Sequence, residues 1–209
     1  MNKRMLPAVT LAAGFAVGTP AVATAATAPK SFVASGVLEN RIEGERDEQK
    51  IVLSFHQGSL RVEATGKDGG QTVFVVRKGD RDIAMLDPAQ KVVVRLTAAA
   101  MKQPGTPTGL GFDQLLDPEG FRRTLMKEGR KVGPGERLAG EATTVWTRAV
   151  KDGTARIWLS DRLQLPLRVD GTSGKDGFRL DIRRIDLTPK FTSDTFNPHP
   201  RGYQELKGD

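Results

Sequence analysis

The sequence contains no cysteine. That excludes a disulfide framework, a thiolate metal site and a thiol nucleophile. Histidine is almost as scarce, with His56 and His199 the two present. Neither falls in a His-x-Glu or His-Glu-x-x-His pattern, so zinc chemistry has no support. No serine stands in a Gly-x-Ser-x-Gly elbow, and no phosphate-cradling Gly-x-x-x-x-Gly-Lys-Ser/Thr loop occurs. Asp68, Asp80, Asp87 and Asp152 fall at predicted turns, where aspartate serves backbone geometry. Beyond the N-terminal stretch, no apolar run approaches the ~20 residues that span a bilayer. The residues therefore predict no catalytic group, no metal and no cofactor, and no nucleic-acid motif is present.

What is present begins with a targeting pattern. Lys3 and Arg4 precede an apolar stretch from Leu6 to Val17, broken by Gly18, Thr19 and Pro20 and followed by the small residues AVATAATA. That order is a secretory signal, too short to be a transmembrane helix. Ala-x-Ala sites end at Ala23, Ala25 and Ala28, and cleavage after Ala25 avoids placing Pro29 just past the cut. The expected organisation is a signal peptide over residues 1–25 and a single domain over residues 26–209. Export without cysteine points to a Gram-negative periplasm, and without a cysteine at the cleavage site the chain is not expected to be a lipoprotein itself. The leader removes two bases from a net charge of +7, leaving a mildly basic domain of +5.

The mature sequence alternates apolar and polar residues between turn signals, the mark of half-buried strands. Phe32 to Ile42 is a first candidate. Ile51, Leu53 and Phe55 share one face, and the turn His56-Gln57-Gly58-Ser59 leads to Leu60, Val62 and Ala64. Further strands are predicted over Thr72–Lys78, Ile83–Leu86 and Lys91–Leu96. Thr97–Gln103 reads as a short helix. A helical pattern then runs from Phe112 to Glu128, with Asp117 as N-cap, Pro118 at the first helical position and Gly129 as the stop. Phe121 and Leu125 lie four apart on one face, with Phe112, Leu115 and Leu116 clustered upstream. Strands resume over Glu141–Val150, Thr154–Ser160, Leu165–Val169 and Gly177–Leu187. The order is about six strands, a helix, and about four more. A long antiparallel sheet accumulates twist and curls, so the mid-chain helix is placed to cover its concave side.

Between Gly135 and Tyr203 the sequence resembles the C-terminal half of LolA-like envelope proteins, the superfamily of periplasmic lipoprotein carriers and sorting-protein-like chains. The segments concerned are Gly135-Glu136-Arg137-Leu138-Ala139-Gly140-Glu141, Val145-Trp146, Ile157-Trp158-Leu159-Ser160, Leu165-Pro166-Leu167-Arg168-Val169 and the closing Phe196 to Tyr203. They cover about a third of the chain and consist of turns and strand faces. The resemblance implies a mainly β fold: a curved antiparallel sheet forming an incomplete, half-open β-barrel, with a helical lid inserted mid-chain over a hydrophobic cavity. In the carriers such a cavity takes acyl chains.

Candidate lining residues are Leu53, Phe55, Leu60, Val62, Phe74, Met85, Val94, Ile157, Leu167, Phe178 and Leu180 on the sheet, with Leu115, Phe121 and Leu125 from the lid. Each also fits an ordinary core. Three functional readings follow. The first is a non-enzymatic binding protein for lipid acyl chains or a lipoprotein. The second is an interaction or envelope-stress-sensing module with a filled interior and an envelope protein partner. The third is a hydrolase assembled from distant residues. Arg122, Arg123, Lys127, Arg130 and Lys131 form a basic edge beside the lid, suited to a lipid headgroup or an acidic partner, or a solvated helix face.

Overall fold

The structure, a computed structural model, describes residues 28–80, 82–97, 117–150 and 153–206. The predicted signal peptide, the helix expected after Thr97 and the cluster Phe112, Leu115 and Leu116 lie outside these residues.

Six strands come first: β1 (Ser31–Ile42), β2 (Glu45–His56), β3 (Ser59–Thr65), β4 (Gln71–Val76), β5 (Asp82–Asp87) and β6 (Val92–Thr97). Helix α1 (Pro118–Glu128) follows, then β7 (Arg130–Pro134), β8 (Thr143–Val150), β9 (Gly153–Ser160), β10 (Pro166–Ser173), β11 (Asp176–Asp186) and β12 (Gln204–Leu206). All twelve strands form one sheet in the order β12-β6-β5-β4-β3-β2-β1-β11-β10-β9-β8-β7. The two meanders meet where β1 pairs antiparallel with β11. The edges β12 and β7 do not pair with each other, so the sheet is open, as the half-open barrel reading requires.

Two strands depart from the expected count. β7 was hidden because Arg130-Lys131-Val132-Gly133-Pro134 mixes charge, glycine and proline; it holds through pairing with β8 alone. β12 is three residues long and pairs parallel with β6.

Register sorts the side chains onto two faces. On one, a row runs Ala34, Leu53, Val62, Phe74, Met85 and Val94 from β1 to β6. On the same face a second row runs Leu38, Leu180, Val169, Ile157 and Trp146 from β1 to β8. Arg148, two residues beyond Trp146, reaches Glu128 of α1 at 2.7 Å, which identifies this as the face under the helix. Phe121 and Leu125 of α1 join these rows in one buried apolar cluster. The other face has a smaller cluster of Val73, Val75, Ala84, Leu86 and Val93, covered by Phe196 and Tyr203 of the C-terminal segment. His56 and Phe191 extend that cover, with Phe191 edge-on to Phe196 at 5.1 Å.

The helix forms where the sequence signals place it. The Asp117 carboxylate accepts from the Gly120 backbone N–H, and Pro118 occupies the first turn. At the exit the Gly129 N–H donates to the Leu125 carbonyl.

Candidate functional site

The helix makes the concave side a site. It is a single span of eleven residues laid across an apolar trough. Its first residues stand over the β2–β3 and β4–β5 turns, and its last residues sit against β8. Pro118, Phe121 and Leu125 form the stripe turned to the sheet, and Leu125 is fully buried. The stripe is held by burial rather than by polar bonds, at about 25 cal/mol per Å² of apolar surface removed from water.

At the N-terminal end of α1 the trough opens into a cleft of about 500 Å³. That lies within the range of ligand pockets, roughly 300–1,000 Å³. Its floor is apolar, from Phe55 and Val76. Its rim is polar, from Lys30, Gln57, Lys78, Asp80 and the helix residues Asp117 and Glu119. Phe55 pairs across the ladder with Phe32 on one side and Leu60 on the other, and Leu60 with Val76. Phe32 and Phe55 stack at 5.3 Å between ring centroids. The cleft floor is therefore the outermost row of the same apolar face that α1 covers.

On α1 and β8, two buried donors lack an acceptor among the described residues: Nε of Arg122 and Nε1 of Trp146. Arg122 follows Phe121 on the helix, at the flank of the buried stripe. Trp146 lies on β8, the strand α1 packs against. Buried N–H groups in native proteins almost always have a partner, and leaving one unmade costs about 1–3 kcal/mol.

The predicted lining residues can now be placed. Leu53, Phe55, Leu60, Val62, Phe74, Phe121, Leu125, Ile157, Leu167 and Leu180 are buried in one cluster. Met85 and Phe178 are partly buried against it. Val94 is partly buried on the same face, paired with Met85. Leu115 lies outside the described residues. Of the described ones, Phe55 reaches the cleft; apart from Val94, the rest belong to or pack against the cluster that includes Phe121 and Leu125. Val76, Lys30, Gln57 and Lys78 were not singled out from sequence. They come from turns and a strand end, where periodicity carries no signal. The two histidines lie on the opposite side: His56 Nδ1 is 2.7 Å from Ser31 Oγ, and His199 lies against Arg95.

The outer face of the second meander carries a charge ladder. Arg168 meets Asp181 at 2.9 Å and also pairs with Glu136. The guanidinium groups of Arg156 and Arg168 lie 4.9 and 5.5 Å from the ring centroid of Trp158. At the β1–β2 tip Glu39 is buried between Arg41 and Arg46, at 2.7 and 2.5 Å. Burial alone would raise its pKa, but the two arginines outweigh it and hold the carboxyl below the usual range. Among the described residues no group of three or more His, Asp or Glu side chains is arranged to hold a metal.

No family model matches the chain, and no curated protein matches it. Solved structures do. The chain is similar to MucB, at 17% identity over 80% of this chain and 57% of that one, with a TM-score of 0.46. In the Pseudomonas aeruginosa MucA/MucB complex the figures are 17%, 80%, 55% and 0.47. A Vibrio parahaemolyticus domain assigned to the outer membrane lipoprotein-sorting proteins matches at 12% identity over 80% of this chain and 89% of its own, with a TM-score of 0.43. The chain thus spans little more than half the length of the MucB chains. Its own open curved sheet and covering helix are those implied by the resemblance to LolA-like envelope proteins.

Proposed function

We propose that this chain is a non-enzymatic periplasmic binding protein for lipid or lipidated protein, exported through the N-terminal signal over residues 1–25. The acyl chain lies in the trough beneath α1 and enters by the cleft at the helix N-terminus. One observation carries this reading: the floor of the cleft, Phe55 and Val76, continues the apolar rows that the helix covers. Past the polar rim, an entering chain meets the apolar floor. Lifting α1 breaks no disulfide and exposes Phe121 and Leu125, whose place the acyl methylenes take. Each buried methylene returns about 0.8 kcal/mol, so a long chain offsets the loss of two side chains' contacts. Arg122 Nε and Trp146 Nε1 supply two buried donors for a ligand oxygen, which supports the same location.

The reading predicts that protein purified from the periplasm releases fatty acid or phospholipid on organic extraction, detected by mass spectrometry. Delipidated protein should take up palmitate at about one molecule per chain. Protein that is lipid-free as purified, and takes up no palmitate after delipidation, would leave the filled-interior interaction module as the better account.

A further inference from the structure

The helix has a second face, and it does not look inward. At helical spacing Arg123, Met126 and Lys127 lie opposite Phe121 and Leu125, and all three are exposed. Gly129 ends the helix and the chain passes directly into the edge strand β7, where Arg130, Lys131 and Val132 are also exposed. Six large apolar side chains are markedly exposed among the described residues. Three of them, Met126, Val132 and Val150, sit on α1, β7 and β8, and α1 and β7 both contact β8.

The charge of this region is mainly positive. Glu128 is taken by Arg148, Glu136 by Arg168, and Asp117 by Arg123 at 3.8 Å, which leaves Glu119 in the first turn as the exposed acid. Lys127, Arg130 and Lys131 make no ion pair with a described residue. Within residues 126–132, three cations and two solvent-facing apolar side chains thus line one open edge of the sheet, with Arg130 and Lys131 on its two sides.

We propose that this edge, formed by the outer face of α1 and by β7, docks on an anionic lipid bilayer surface. The cations meet phosphate-bearing headgroups, and Met126 and Val132 enter the interfacial layer. A polypeptide adding as a further strand fits less well. The register of β7 shifts between Lys131 and Gly133, and Pro134 removes a donor, so the edge offers a poor template for backbone pairing. A charged surface requires no such register. Docking here would place the helix, and the trough it covers, next to a lipid source, yet the proposal does not rest on the acyl-chain reading.

Co-sedimentation with vesicles tests it. Wild-type protein should bind vesicles of phosphatidylglycerol and phosphatidylethanolamine at low ionic strength, release in 0.5 M salt (~4 Å screening length), and ignore phosphatidylcholine. Each cation near an anionic surface contributes about fivefold in partitioning, so K127Q/R130Q/K131Q should bind on the order of a hundredfold more weakly. The matched variant R183Q/R184Q/K190Q, on exposed residues of β11 and the segment after it, should bind as wild type. Melting curves confirm that both variants fold. Failure of the wild type to bind anionic vesicles overturns the proposal. So does equal weakening by the two triple variants, which would reduce the effect to net charge.

Discussion

Replacing Gly36 with alanine is expected to lower the melting temperature by on the order of 10 °C. Gly36 lies within β1 at the seam between the two meanders, paired with Ile51 of β2 and Ile182 of β11. The β1–β11 register shifts between Ser35 and Gly36, and the strands close up there. A Cβ on Gly36 would overlap the Asp181 carbonyl oxygen and lie 2.9 Å from its carbonyl carbon and from Ile182 Cα. These are backbone atoms of β11, with no rotamer to give way. The ladder must open at the one place where the halves of the sheet are joined. Overpacking typically costs 1–3 kcal/mol, and a backbone obstruction falls at or above the top of that range. For a domain of this size each kcal/mol is about 2–4 °C. Gly69→Ala makes the control. Gly69 has φ 84° in an open turn with nothing near its Cβ, so the change costs left-handed strain alone, about 1–2 kcal/mol. Thermal denaturation followed by circular dichroism should rank the two in that order.

Leu125→Ala is expected to cost 2–5 kcal/mol, while Met126→Ala, one residue along the same helix, should stay within about 0.5 kcal/mol. Leu125 is 0% exposed and Met126 is 50% exposed. The contrast matters because α1 has little other hold on the sheet. Its described polar tie to the strands is Glu128 to Arg148 at 2.7 Å, with Arg148 only partly buried, a type of pair worth about 0–1 kcal/mol. Removing Leu125 therefore loosens the helix before it unfolds the sheet. Hydrogen exchange should show amides of residues 121–129 losing protection, with β2 and β3 losing less. Equal loss across all these elements would mean that the helix is part of the global folding unit and does not open by itself.

How much of this was legible in the residues depends on what each element is built from. Strict alternation in Ile51-to-Ala64 gave both the strands and the face they bury, because register and burial follow from period two. The helix boundaries followed from Asp117, Pro118 and Gly129, which act through local backbone chemistry. The strand Phe32 to Ile42 was legible, but the first half of β2 was not, since Gly44-to-Gln49 has no apolar residue. It is extended because Glu43 and Gly44 turn the chain at φ 52° and 90°, and because β1 pairs alongside it from Leu38 to Ile42. Gly36 carried a weak signal of close backbone approach, but the neighbour it accommodates is about 145 positions away in sequence. The cleft was the least legible part. Its rim joins the segment at Lys30, the turns at Gln57 and Lys78 and the start of α1, which come together only once the sheet has curved. Periodicity placed the candidate lining residues on the correct face; it carried no information on which of them would meet open space.

The central claim is that an acyl chain occupies the trough between α1 and the sheet. The two tryptophans report on it separately, since Trp146 lies on the helix-covered face and Trp158, its cross-strand neighbour's successor, on the outer face beside Arg156 and Arg168. Bromine quenches indole emission at near contact, so the test is titration with a brominated fatty acid of the single-tryptophan variants W158F and W146F. The account predicts saturable quenching of Trp146 in W158F and none of Trp158 in W146F. Absence of quenching in both, or equal quenching of both, would contradict it.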